Sequence, residues 1–243
     1  MIKLNCDMGE SFGAWKMGLD EAVMPLIDMS NIACGFHASD PVIMNQTVKM
    51  AVAHDVTIGA HVAYPDLVGF GRRSLACTHD EIESMVIYQI GALAGISQAN
   101  NTKVSYVKPH GALYNDMMKD VAIFESILKA IAQYDKNLKL MILSSAKNET
   151  YAKIANQVGV DLIYEVFADR AYMEDGSLMP RSMPHAVLES SDDVMERLIY
   201  LSQNGVIKAH TGKELALRAD CICVHGDNAH AVEIVKAMRE YLS

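Results

Sequence analysis

Residues 56–73 read VTIGAHVAYPDLVGFGRR. The segment opens with a run of Val, Ile and Ala free of charge, the pattern of a strand buried on both faces in a parallel sheet. His61 stands where that strand should stop, and a long loop rich in Gly, Pro and Arg follows. The same order recurs at 4–7 (LNCD), 32–37 (IACGFH), 104–110 (VSYVKPH) and 222–225 (ICVH), each a short apolar run ending in a carboxylate or an imidazole. One histidine at a strand end is ordinarily a satisfied structural residue. Five runs delivering polar groups at strand ends point to a common site.

Between these runs lie helix signals. Asp40-Pro41 is a capping carboxylate followed by proline at the first helical position, and apolar spacing continues to Ala53. Thr78 and Glu81 form a capping box for a helix to about Ala99. Further helices are expected over 20–27, 116–133, 147–158 and 191–203, with Gly159 and Gly205 closing the last two, and a final one runs to Leu242 behind Asp227 or Asn228. Strands are expected over 2–6, 28–33, 104–108, 139–143, 161–167 and 221–225, with a short one at 186–188 and a hairpin at 206–218. In the fourth strand, alternation puts Tyr106, Lys108 and His110 on one side. Seven or so strands alternating with helices give a barrel or an open doubly wound sheet. The barrel is favoured: polar groups leave nearly every strand's C-terminal end, whereas an open sheet gathers its site at one switch point, and no G-x-G-x-x-G follows the first strand. A length of 243 residues suits one α/β domain spanning 1–243.

Composition narrows the classes. Half the residues are apolar, yet no apolar run approaches the ~20 residues of a membrane span. Met1 leads straight into strand-like sequence without a signal-peptide pattern, so a cytoplasmic protein is expected. Five cysteines without C-x-x-C pairing read as reduced thiols, four of them buried in strands. A net charge of −9 argues against nucleic acid or an anionic membrane as partner.

Seven motifs carry a more specific message: 5–13 (NCDMGESFG), 31–37 (NIACGFH), 59–61 (GAH), 64–73 (YPDLVGFGRR), 107–115 (VKPHGALYN), 167–172 (FADRAY) and 224–228 (VHGDN). With these in order along its whole length, the chain resembles the LamB/YcsF family. The resemblance implies an irregular, deacetylase-like β/α barrel of seven strands. It also implies ATP-dependent opening of 5-oxo-L-proline to L-glutamate together with the B and C subunits of a 5-oxoprolinase. The chain departs from the family pattern at Ser39 and His185, where glycine is usual, at Val62-Ala63, where Pro-Ser is expected, and at Cys221, where threonine is common. Ser39 and His185 are positions at which loop geometry could alter substrate preference.

A five-membered lactam is a stabilised amide, and opening it benefits from turning its oxygen into a better leaving group, for instance by phosphorylation from ATP. Such a site must hold phosphate and direct water. Lys108, Arg72 and Arg73 are the candidate anion-binding cations, and Asp7, His61, His110 and His225 the candidate bases. Asp169, Arg170 and Tyr172, in the long segment 168–184 that also holds Arg181, read as a substrate clamp or as a brace for their own loop. Glu10 and Asp227 are further candidate substrate contacts. Asp7, His37 and His61 could instead bind Mg²⁺ or another divalent metal, although no H-E-x-x-H spacing supports it. No Walker-type phosphate loop occurs; His210-Thr211-Gly212-Lys213 is only a fragment of one, which leaves ATP to partner subunits or their junction. The alternatives are a metal-dependent amidohydrolase that needs no ATP, and a substrate-binding subunit without catalysis.

Overall fold

The structure is a computed structural model that describes residues 2–180, 183–188, 190–224 and 229–242, the side chains of 229–231 excepted. Seven strands close a parallel barrel: β1 (Lys3–Met8), β2 (Met29–Ala33), β3 (Thr57–Val62), β4 (Val104–Pro109), β5 (Lys139–Leu143), β6 (Leu162–Phe167) and β9 (Cys221–Val224), paired in that order with β9 returning to β1. The expected irregular seven-stranded β/α barrel is the observed fold. A separate antiparallel pair, β7 (Val206–Lys208) and β8 (Glu214–Ala216), forms the hairpin expected before the last barrel strand.

The helices start where the sequence places side-chain caps. Asp40 accepts from Val42 N and Ile43 N at the head of α2 (Pro41–Ala53), and Thr78 and Glu81 close a reciprocal capping box on α3 (His79–Ala99). α6 (Asn148–Val158) and α7 (Ser191–Asn204) end on Gly159 and Gly205, both left-handed. The helix at 20–27 is one turn of α1 (Asp20–Val23) followed by a 3-10 turn at Met24–Leu26 that accommodates Pro25. α8 (Ala229–Leu242) is the last helix, and the expected caps Asp227 and Asn228 lie outside the described residues. No helix among the described residues is long and apolar enough to cross a membrane.

Two expectations are corrected. The helix over 116–133 is two helices, α4 (Gly111–Met117) and α5 (Val121–Tyr134), because Asp120 accepts from Ala122 N at 2.9 Å and restarts the helix after a turn. The strand at 186–188 is a single bridge between Arg170 and Val187.

The barrel interior is layered. Met29, Tyr106, Met141 and Cys221 fill one end as a small apolar plug. Above it, polar side chains take over toward the strands' C-terminal ends. Outside, the opposite strand faces pack against the helices in one continuous apolar core.

Candidate functional site

The polar column begins just above the plug. The Tyr106 hydroxyl donates to Asn31 Oδ1 at 2.7 Å, and Asn31 Nδ2 donates to both Asn5 Oδ1 (2.8 Å) and Asp7 Oδ1 (2.9 Å). Register explains the convergence: Asp7 and Asn31 are partners across β1 and β2, as are His61 and Lys108 across β3 and β4. The Lys108 ammonium sits between two carboxylates, 2.9 Å from Asp7 Oδ1 and 2.7 Å from Glu165 Oε1. The Tyr114 hydroxyl holds the other Glu165 oxygen at 2.8 Å. Burial alone would push the ammonium's pKa down, but Asp7 and Glu165 outweigh it and hold Lys108 well above the usual lysine value. Lys108 is therefore a buried counter-ion for two carboxylates, committed to them rather than offered to a substrate anion as the sequence suggested.

Three imidazoles stand above this triad. His37 and His110 stack face to face with ring centroids 3.7 Å apart, and His61 meets both rings edge-on. His61 Nδ1 lies 2.9 Å from the Lys108 carbonyl and His110 Nε2 lies 2.9 Å from the Phe70 carbonyl. A carbonyl only accepts, so each of these nitrogens carries its hydrogen. His61 Nε2 and His110 Nδ1 then face each other at 2.9 Å. Glu10 Oε1 is 3.2 Å from His37 Nε2 and 3.6 Å from His110 Nδ1, and Asp7 Oδ2 is 3.3 Å from His61 Nε2. Burial, reinforced by the neighbouring imidazoles, pushes His37 and His110 well below the usual histidine pKa.

The loop after β3 closes over this cluster. Gln89 on α3 holds its first residue by accepting from Ala63 N (2.8 Å) and donating to Ala63 O (3.0 Å). Phe70 lies edge-on to His37 and His110. Gly71, at φ 62°, has no room for a side chain: a Cβ there would stand 2.8 Å from His37 Cβ and 2.9 Å from His110 Cδ2. Glycine is what lets this loop approach the imidazoles.

A cavity of about 250 Å³ opens above the cluster, lined by Asp7, Glu10, Lys16, Asp20, Phe70 and Arg72 among others. Its lining carries three carboxylates, Asp7, Glu10 and Asp20, and two cations, Lys16 and Arg72. Of the expected cations, Arg72 faces this cavity and stacks on Phe70, its guanidinium 5.0 Å from the ring centre. Arg73 turns to Asp66, which holds it through Nε at 3.0 Å and through Nη2. Lys16 is not among the expected residues, because a lone lysine in an irregular loop has no local signature.

Glu10, His37, His61 and His110 each offer a ligand atom within 4.8 Å of the others, so this largely buried group could hold a metal ion. The set differs from the expected one. Glu10 stands in place of Asp7, which is drawn down to Lys108, and His110 joins. The expected clamp is engaged elsewhere: Arg170 donates to the carbonyls of Met179 (2.7 Å) and Ala186 (3.3 Å), and the Tyr172 hydroxyl accepts from Phe167 N at 2.8 Å. Both side chains brace the loop after β6, in which Asp169 accepts Leu188 N through its backbone carbonyl. His225, Asp227 and Arg181 lie outside the described residues. Asn5, Asn31 and Tyr114, which the motifs contain without an assigned role, join this polar cluster, as does Glu165, which no motif contains. A lone carboxylate inside LIYEVF is the available signal for Glu165. Burial raises the thiols of Cys6, Cys221 and Cys223 well above the usual thiol pKa and that of Cys34, just after β2, to about 12, which fits small buried hydrophobes rather than thiolates.

A closed parallel barrel whose C-terminal mouth gathers imidazoles and carboxylates above an ion-paired lysine defines a β/α-barrel protein organised around one buried polar site. The chain belongs to the LamB/YcsF family, whose profile matches residues 2–243. It is 54% identical over 241 residues to the 5-oxoprolinase A-subunit of Vibrio campbellii, covering 99% of this chain and 95% of that one. It is 52% identical over 241 residues to the second 5-oxoprolinase A-subunit of Pseudomonas putida, covering 99% and 93%. The crystal structure of a lactam utilization protein from Thermus thermophilus superposes with a TM-score of 0.91 at 38% identity, covering 99% of this chain and 95% of that one.

Proposed function

We propose that this chain is the lactam-handling subunit of an ATP-dependent 5-oxoprolinase, opening 5-oxo-L-proline to L-glutamate in a complex with B and C subunits. The observation that carries the reading is the cavity, whose lining presents Asp7 and Glu10 together with Lys16 and Arg72. A small cyclic amide with a free carboxylate suits that arrangement: the cations bind the carboxylate and the amide is left beside the acidic side chains. The names of the Vibrio and Pseudomonas relatives support the same substrate.

In this reading Asp7 is the base. One of its oxygens is fixed by Lys108 and Asn31 and the other lies 3.3 Å from His61 Nε2; from the cavity lining the carboxylate takes a proton from water attacking the lactam carbonyl and passes it to the ring nitrogen as the C–N bond breaks. His61 faces the second Asp7 oxygen, and Lys108 is a positioning residue that orients the carboxylate. Phe70 and Gly71 keep the loop down and limit water around the imidazoles. ATP is handled by the partner subunits or at their junction.

A mouth built to meet partners supports the complex. The loop after β1 exposes Trp15, Met17 and Leu19, and the loop after β3 exposes Leu67 and Val68; both loops line the cavity. Large apolar side chains at a cavity rim are what an intersubunit contact covers. The test is glutamate and ADP formation from 5-oxoproline and ATP, by this chain alone and with B and C subunits. The reading expects product only from the mixture and loss of it with Asp7→Asn. The imidazole cluster favours a second reading, an amidohydrolase that needs no ATP; product from the chain alone without ATP would establish it instead.

A further inference from the structure

We propose that Glu10, His37, His61 and His110 hold a first-row transition-metal ion of the zinc class, with Asp7 outside the ligand set. The proposal deepens the lactam-opening reading and rests on it for the role of the cavity. Its physical basis is the facing pair of nitrogens. Because the Lys108 and Phe70 carbonyls take the hydrogens of His61 Nδ1 and His110 Nε2, the lone pairs of His61 Nε2 and His110 Nδ1 point at each other across 2.9 Å. Two acceptors at that distance repel unless a cation lies between them or beside them.

A shared proton is the competing occupant. It would join His61 to His110 but would do nothing for the rest of the cluster. Glu10 Oε1 approaches both His37 Nε2 and His110 Nδ1. A metal ion is the cation that four converging donors can share. The separations fit as well. Four ligand atoms around a tetrahedral ion at ~2.0–2.1 Å stand roughly 3.3–3.4 Å from one another. Three of the six pairs in this cluster, at 2.9, 3.2 and 3.6 Å, bracket that value, and all six lie within 4.8 Å.

Donor chemistry selects the metal. Three imidazole nitrogens with one carboxylate suit zinc, nickel, cobalt or iron, whereas Mg²⁺ prefers oxygen and retains several waters. The outer contacts agree: imidazoles that bind metals generally donate their second N–H to a carbonyl or carboxylate, as His61 and His110 do here. Phe70 holds its carbonyl toward His110 from a left-handed backbone, φ 54°, a conformation unfavourable for an aromatic residue. An ion bound here would supply Lewis-acid polarisation beside the cavity.

The experiment is metal analysis of the purified chain, followed by calorimetric titration and thermal unfolding of the chelator-stripped chain with Zn²⁺, Co²⁺ and Mg²⁺. The expected result is about one zinc-class ion per chain, a rise in Tm with Zn²⁺ and none with millimolar Mg²⁺, and a visible Co²⁺ absorption band typical of low coordination. His110→Ala should weaken Zn²⁺ binding by roughly 10–100-fold or more. Glu10→Gln, nearer the cavity, should weaken it in the same direction and serves if His110→Ala does not fold. Absence of stoichiometric binding by any of these ions, equal binding of Mg²⁺, or unchanged Zn²⁺ affinity in both variants would overturn the proposal. Metal binding and lactam turnover are read separately. A chain that binds Zn²⁺ but yields no glutamate with its partners would refute the proposed function and leave the metal site standing.

Discussion

Replacing Lys108 with methionine isolates the energetics of the buried triad. The ammonium lies 2.9 Å from Asp7 and 2.7 Å from Glu165, and Lys108 is 2% exposed. At an effective dielectric of about 20, each contact is worth roughly 6 kcal/mol of Coulomb attraction. Most of that offsets the cost of taking the three groups out of water. What remains when one partner is removed is the cost of stranding the others, about 3–5 kcal/mol. For a chain of this length each kcal/mol shifts Tm by ~2–4 °C, so Lys108→Met should unfold about 6–20 °C lower. Methionine matches the stem of lysine closely, so the loss is electrostatic rather than steric. The double variant Lys108→Met/Glu165→Gln removes one of the two stranded charges and should recover at least ~1 kcal/mol relative to the sum of the single effects. Urea unfolding followed by circular dichroism measures all three. A loss below ~1 kcal/mol in Lys108→Met, or strict additivity in the double variant, would refute the buried-triad account.

Three further outcomes are expected. Gly71→Ala forces a methyl group to within 2.8–2.9 Å of His37 and His110 at a left-handed position, so complex-dependent glutamate formation should fall by at least ~100-fold, as for a ~1 Å misplacement of a reacting centre, while circular dichroism still reports a folded barrel. Asp20 has its pKa raised from 3.8 to about 6 by burial, opposed by the Gly9 N–H at 2.7 Å. The folded state therefore holds this proton more tightly, and the stability it contributes is present below the unfolded value and lost as pH rises toward 6; Asp20→Asn should flatten this part of the stability–pH curve and stabilise the chain by up to ~3 kcal/mol above pH 6, as judged from urea midpoints. Ser39 and His185 occupy φ 73° and φ 62°, where a side chain is strained and glycine is not. His185→Gly, on an exposed turn, should raise stability by ~0.5–1 kcal/mol, seen as a Tm increase of a few degrees, and an unchanged or lower Tm would show that the turn relieves the strain elsewhere.

Ser39 and His185 also show how far motif reading reaches. Both positions take a left-handed backbone, so the expectation of glycine there was in effect a statement about backbone sign. Local chemistry behaves likewise. Asp40-Pro41 and the Thr78–Glu81 box start helices where they stand, because a cap acts within three residues. The break at Asp120 is equally local, but it is hidden inside an apolar spacing that suits one long helix.

The sequence by itself determined the barrel and the end at which its polar side chains gather, because uncharged strands ending in histidine or aspartate are a periodic property of the chain. It also marked Asp7, His37, His61, Lys108 and His110 as site residues. Tertiary structure decided what each one does. Lys108 became a counter-ion because β6 brought Glu165 against it, Glu10 rather than Asp7 completes the group that could hold a metal because Lys108 and Asn31 engage one Asp7 oxygen, and Arg170 and Tyr172 turned into their own loop. Pairings across many tens of residues depend on strand register and loop closure, and no local pattern of residue types encodes them.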